Sequence, residues 1–290
     1  MRDYIITTDS TADLPLEYID KNNVKYLGLN YRLDDKEYSF RDSISLKEYY
    51  NKMRDGAKTT TMQANIAETR ELFESIIKDG KDILHISFSS ELSGSFNTES
   101  IVANELMDEY PDANICIIDS KAASGGQGIA VRHAVICKEK GCTLDEAKNY
   151  LNDLIPRITH YFTVEDMVYL YRGGRVSKTK AFIANVVNIK PILHCNEEGK
   201  LVPVTTARGR KKSIKEICKL MKANLSENHK DDNPFIVICD ADARDEAMEL
   251  GRYIAEETGI KDIIYNEIGP TIGAHSGPGT IALFYVGRNR

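Results

Sequence analysis

The sequence predicts an α/β fold of two domains: a mainly parallel sheet flanked by helices, then an α+β unit, with a ligand tunnel between them. Three observations carry that expectation. At 290 residues the chain is longer than one ordinary domain. Short apolar runs alternate with helix-length amphipathic patterns through the first half, the rhythm of parallel strands joined by crossover helices. From about Tyr161 that rhythm gives way to hairpin-like strand pairs with intervening helices, which places the domains at 1–160 and 161–290.

The elements follow in order. "DYIITTD" reads as a strand, and "DLPLEYIDKNN" as a helix whose Pro15 suits a first turn. "VKYLGLNYRL" and "EYSF" flank "DDK" as a hairpin, and "SLKEYYNKMRDG" is a short helix closed by Gly56. "NIAETRELFESIIKDG" opens with Asn65 and has Glu68 three residues on, a capping-box spacing before an apolar face. "DILHISF" (strand), "SFNTESIVANELMDEY" (helix), "NICIID" (strand) and "GIAVRHAVICKEKG" (helix) complete the first half. In the second, "TKAFIANVVNI" is helical, and "KPILHCNEEGKLVPVTTARGR" forms two strands joined at Glu198-Gly199. "SIKEICKLMKANLSEN" is a helix, "PFIVICD" a strand and "ARDEAMELGRYIAEETG" a helix. Two strands around a Gly-rich turn, "DIIYNEIGPTIGAHSGPGTIALFYVG", end the sequence.

Composition narrows the function. A net charge of −6 argues against sequence-independent nucleic-acid binding, which needs a surplus of Lys and Arg. No apolar run approaches the roughly 20 residues that span a bilayer, so no stable membrane insertion is expected. "MRDYIITTDSTADLP" lacks a signal-peptide apolar region, and the six Cys form no CxxC pair. Reduced thiols and a cytoplasmic location are the expectation.

Ligands of an open parallel sheet bind beyond the carboxyl ends of its strands. Four loops read as lying there are rich in hydroxyls: "TTDST" (7–11), "KTTT" (58–61), "SSELSGS" (89–95) and "DSKAASGG" (119–126). Each alone reads as helix capping. Four at one sheet end, beside helix N-termini that point N–H groups outward, read as a site for an anion without any cationic side chain. Asp9, Asp119 and Asp240 end strands and read as caps rather than as metal ligands. "SGGQG" precedes a helix as phosphate loops do, but lacks GxGxxG or GxxxxGK spacing. "GAHSGPGT" places His275 in a Gly-rich bend opposite the hydroxyls, and "ARGRKKS" is a basic cluster. No GxSxG, HExxH or kinase signature set is present.

In that order, "DSTADLP", "KTTT", "SSELSGS", "DSKAASGG", "YLYRGGRVSK", "IKPIL", "RGRKKSI" and "AHSGPG" resemble the DegV family, the fatty-acid-binding subunits of bacterial fatty acid kinase. The resemblance runs from about residue 4 to the end. It implies a long-chain fatty acid buried between two domains, no cofactor, no catalysis by the protein itself, and a separate ATP-dependent fatty acid kinase protein. That kinase phosphorylates the presented carboxylate, and the acyl phosphate feeds phospholipid synthesis. The family's head-group contacts map onto Thr59, Thr60, Ser93 and His275, with Gly94 and Ser95 supporting. The family's TSQP is TTTM here (59–62), which keeps the hydroxyl at Thr60 but changes the loop at Thr61 and Met62. Phe182, Ile183, Val186, Val187 and Ile192 are candidate tunnel lining, though equally ordinary core. Arg172, Arg175 and the stretch from Arg208 through Arg210 to Lys212 are candidates for docking the kinase. A monomer is expected.

An ionised carboxylate is costly to bury unless hydrogen-bonded, and a bond to a charged group contributes about 1.5–3 kcal/mol. A tail of about sixteen carbons has on the order of 12 kcal/mol available before ordering costs. The competing readings are a serine hydrolase using Ser93 with His275, or a carbonyl-binding kinase subunit acting on a small molecule. A hydrolase needs a base and an orienting acid beside the serine, and no telling spacing supplies them.

Overall fold

The computed structural model describes residues 2–40, 42–176 and 188–290. Most of the helix expected in "TKAFIANVVNI", with Phe182, Ile183, Val186 and Val187, lies outside the described residues.

The chain opens with β1 (Tyr4–Asp9), a turn of 3₁₀ helix (Ser10–Ala12), α1 (Leu16–Lys21) and β2 (Lys25–Leu27). Next come β3 (Tyr31–Leu33), β4 (Lys36–Tyr38), α2 (Leu46–Arg54), β5 (Thr59–Thr61), α3 (Ile66–Lys78), β6 (Asp82–Ser87) and α4 (Ser95–Glu109). β7 (Ile115–Asp119), α5 (Gly125–Glu139), α6 (Leu144–Leu154) and a second 3₁₀ turn (Ile155–Arg157) complete this half. The remainder holds β8 (Ile158–Thr163), α7 (Val168–Arg172), β9 (Ile189–Cys195), β10 (Leu201–Arg208), α8 (Arg210–Asn224) and α9 (His229–Asp232). It ends with β11 (Ile236–Asp240), α10 (Arg244–Thr258), β12 (Ile263–Glu267), α11 (Pro270–Ser276) and β13 (Ile281–Val286).

The first sheet has the order β2-β1-β6-β7 and is parallel throughout. The second is mixed, β10-β9-β8-β13-β11-β12, antiparallel except for β11–β12. A small antiparallel sheet, β4-β3-β5, sits beside them. Three apolar clusters set the layers. One packs α3 and α4 on the outer side of the parallel sheet, through Phe73, Ile76, Val102 and Leu106. Another packs α8 and α10 on the outer side of the mixed sheet, through Ile217, Met221, Leu250 and Ile254. The largest fills the space between the sheets.

α5 occupies that middle space and is buried nearly all round, as a helix between two sheets must be. Its glycines explain how it fits. A Cβ at Gly126 would stand 2.2 Å from His160 Nε2, one at Gly125 2.6 Å from Phe284, and one at Gly128 2.8 Å from the Ala12 carbonyl. "SGGQG" therefore serves close helix–sheet packing, not the phosphate loop that its position before a helix suggested.

Three sequence expectations change. "VKYLGLNYRL" splits, β2 joining the parallel sheet and β3 forming the hairpin with β4 through Asp34 at φ 52°. "KTTT" is not a loop at the carboxyl end of the parallel sheet; Thr59–Thr61 form an edge strand paired with β3. "GPTIGAHSG" is not a turn joining two neighbouring strands. Pro270, free to start a helix because it needs no N–H bond there, opens α11, and β11 lies between β12 and β13. The short helix at 144–154 carries a full capping box, Thr143 with Glu146. All six cysteines are free thiols. Among the described residues no helix is long and apolar enough to cross a membrane.

Candidate functional site

Strand alternation decides which threonines of "TTT" matter. Side chains of β5 point alternately to opposite sides, so Thr59 and Thr61 share one face and Thr60 takes the other. Thr60 is exposed. Thr61 Oγ1 lies 2.8 Å from His275 Nε2, and Thr59 Oγ1 donates to the Ala274 carbonyl at 3.3 Å. The expected pairing of Thr59 and Thr60 is corrected on this register: the hydroxyl facing the cavity is Thr61, and Thr59 braces α11.

His275 sits in the last turn of α11, which ends at Gly277 (φ 80°). Its Nδ1 is buried without a hydrogen-bond partner among the described residues. A Cβ on Gly173 would come within 2.1 Å of that nitrogen, so the first glycine of "YRGGR" lets the ring approach. Burial, with the Arg175 charge adding to it, lowers the His275 pKa to about 4. The imidazole is neutral at physiological pH.

The "LSGS" loop supplies the facing wall. Ser93 Oγ accepts from the Ser95 N–H at 3.2 Å and lies 3.0 Å from Ser95 Oγ, which in turn accepts from Ala64 N–H at 3.0 Å. A Cβ at Gly94 would stand 2.1 Å from Gln63 Oε1, so the Gln63 amide packs directly on the loop backbone and would have to swing away for a larger residue. α4 begins at Ser95, and its first-turn N–H groups lie behind this loop.

Between these walls is a cavity of about 230 Å³. Leu29, Met62, Phe88, Leu92, Phe162, Leu170, Ile272 and Phe284 line it with apolar surface; Thr61, Ser93, Gly94 and His275 meet it with polar groups. Thr11, Ser124, His160, Thr271 and Ser276 also line it; Thr11 and Ser124 belong to the hydroxyl-rich loops read as an anion site and Ser276 to the "AHSGPG" motif, whereas His160 and Thr271 carry no such signal in the sequence. Ser124 stands out for its backbone, φ 53° and ψ −137°, a region that non-glycine residues enter only when held there. Its N–H donates to the Thr11 carbonyl at 2.8 Å and its hydroxyl to Asp13 at 2.5 Å. The second Asp13 oxygen accepts the Gly269 N–H at 2.8 Å, at the start of α11. Asp13 thereby ties the first motif, the α5 N-terminus and the histidine helix together. Burial pushes its carboxyl up to about 7.

The basic residues separate by environment. Arg175, expected on a docking face, lines the cavity instead; its Nε donates to the Leu92 carbonyl at 3.1 Å and its Nη1 to the Gly173 carbonyl. The expectation of a site without any cationic side chain is corrected accordingly. The tight loop at Gly173 and Gly174 (φ 70°) folds the chain back so that this side chain faces inward. Arg210 is held by Glu246 at 3.0 Å and by the Gly279 carbonyl, bracing the "GPG" turn rather than standing free for a partner. Arg172 and Arg208 are exposed. Ile192 packs with the outer α8–α10 cluster and not against the cavity.

Asp9, His85 and Glu99 bring three groups of metal-ligand type together within 4.8 Å, fully buried. They are engaged with the chain. Asp9 accepts from Thr11 N–H (2.8 Å), Phe88 N–H (3.1 Å) and the Gln127 amide (3.1 Å). His85 Nδ1 bonds Thr7 Oγ1 (2.8 Å), while its Nε2 lies 3.1 Å from Glu99 Oε2 without hydrogen-bond geometry. This network sets the loops after β1 and β6. Asp119 and Asp240 accept from the N–H groups of Lys121 (2.9 Å) and Ala243 (3.0 Å).

The family model described as uncharacterised protein, DegV family, matches residues 4–288. A DegV domain-containing protein of Clostridium perfringens is 38% identical over 289 residues, covering 99% of this chain and 98% of that one. Among solved structures, a DegV family protein of Thermus thermophilus, described for its fatty acid binding, superposes with a TM-score of 0.89 at 28% identity, over 99% of this chain and 100% of that one. A fatty-acid-binding DegV family protein of Streptococcus agalactiae does so with a TM-score of 0.84 at 29% identity, covering 100% of both chains. A stearic-acid-binding protein of Eubacterium ventriosum gives 0.90 at 26% identity over 98% of each.

Proposed function

This chain belongs to the DegV family, and from that premise we propose that it buries a long-chain fatty acid and holds its carboxylate at Thr61, Ser93 and His275. One observation carries the reading: neutral donors and a neutral imidazole meet at one cavity wall while the rest of the lining is mainly apolar. The apolar walls gain about 0.8 kcal/mol per methylene covered, which supplies affinity. The polar end offsets the cost of burying the head, which an unpartnered carboxylate would not survive. Arg175 adds positive potential, while two of its donors remain committed to carbonyl oxygens.

The presented carboxylate is then the substrate of a separate ATP-dependent kinase protein. A carboxylate oxygen attacks the γ-phosphorus, ADP leaves, and the acyl phosphate enters phospholipid synthesis. This half rests on the family resemblance. Arg172, Arg208, Lys211 and Lys212, all exposed, are the candidate cations left for docking that partner. The hydrolase reading finds less support, because the Ser93 hydroxyl meets Ser95 whereas the His275 ring meets Thr61.

Mass spectrometry of lipid extracted from the purified protein tests the binding claim. A stoichiometric long-chain fatty acid is expected; a clean extract together with no measurable affinity for added palmitate overturns it.

A further inference from the structure

A second cavity, of about 500 Å³, adjoins the first. Its walls include Leu14, Tyr26, Tyr31, Phe40, Ile44 and Leu46, so most of its surface is apolar. The two cavities share two lining residues, Leu29 and Thr271. Two side chains therefore separate a lipid cavity from a larger apolar space.

The position of this partition is specific. Thr271 lies one helical turn before His275 on α11, on the same face, so the two side chains are neighbours along the cavity. With the carboxylate at His275, the partition stands beside the carbons nearest the head, not beside the tail end. Leu29 is 3% exposed, and the chain around it is pinned. Its N–H donates to Ser10 Oγ at 2.9 Å, the Asn30 carbonyl accepts from Met62 N–H at 3.1 Å, and a Cβ at Gly28 would stand 2.6 Å from Phe40 Cβ. A pinned backbone cannot collapse to fill a truncated side chain, so removing Leu29 leaves open space.

The geometry points to Leu29 and Thr271 as specificity-determining residues: they close off the side chamber and make the protein select acyl chains that are unsubstituted near the carboxyl end. A methyl branch on the second or third carbon needs room on the flank that this pair occupies. The inference rests on the fatty-acid reading and on its placement of the head group.

The test compares affinity for hexadecanoic acid and 3-methylhexadecanoic acid in the wild type, Leu29→Ala and Thr271→Ala. The wild type is expected to prefer the straight chain by about tenfold or more, as a filled apolar pocket discriminates one methyl group. Each variant, opening the wall from a different side, should bring the two acids within about threefold, mainly by gaining affinity for the branched one. Equal binding of both acids by the wild type, or unchanged discrimination in both variants with hexadecanoic acid still bound, overturns the partition. Binding of neither acid by the wild type overturns the fatty-acid reading itself.

Discussion

Two polar clusters do different work in this molecule: one is built on β1, β6, α4 and α5, the other on β5, the loop before α4 and α11. The cluster of Asp9, His85, Glu99, Thr7 and Gln127 is fully buried, and most of its polar atoms are spent on other groups of the chain. The cluster of Thr61, Ser93 and His275 has similar chemistry but borders a cavity, and its His275 Nδ1 has no hydrogen-bond partner among the described residues. Residue type does not separate scaffold from site here. What separates them is that only the second cluster borders a space that a ligand can fill; the first is closed in on every side by the chain.

The comparison can be broken at its scaffold end first. Asp9→Ala strands the Thr11 and Phe88 N–H groups and the Gln127 amide in the interior, and should cost about 3–5 kcal/mol in urea unfolding. A loss within error would mean that water or rearrangement satisfies them, and the cluster is no scaffold.

Asp13 stands between the two clusters, and its proton reports on burial. The unfolded carboxyl ionises near 3.8, the folded one at about 7. The folded chain thus retains the proton through that window, and stability falls as pH rises across it, by up to about 1.4 kcal/mol per unit. Asp13→Asn, which can still accept from Gly269 and bond Ser124, should lose this slope. Its stability relative to the wild type should rise between pH 4 and 7 and level off above, as read by unfolding at each pH. Parallel curves for the two proteins would remove the assignment.

At the site end, Ser93→Ala should weaken fatty-acid binding by about 1.5–3 kcal/mol, one hydrogen bond to a charged group, with little change in unfolding. Thr60→Ala, on the exposed side of β5, should shift both affinity and stability by less than about 0.5 kcal/mol. If Thr60→Ala instead weakens binding more than Thr61→Ala, the strand register is misassigned.

Much of this was legible beforehand. The capping sequence before α3, the apolar strands of the parallel sheet and the Glu198-Gly199 turn are local signals, and local signals survive folding. Motif order pointed to Ser93 and His275, and the structure brings both to one cavity wall. Thr61 was not, because a three-residue edge strand in a hydroxyl run carries no apolar alternation to set its register. The inward turn of Arg175 was equally hidden, since exposed and buried arginine look alike in a sequence and the difference lies in Gly173 meeting His275.

The sequence by itself determined the alternating elements, the family and the residue types available for an acid head group, because periodicity, caps and motifs are written over a few neighbouring residues. Only the tertiary structure decided which threonine faces the cavity, that Arg175 lines it, and that the glycines of α5 serve packing. Those outcomes depend on distances between residues far apart in the chain, and such distances exist only once the two sheets have closed around α5.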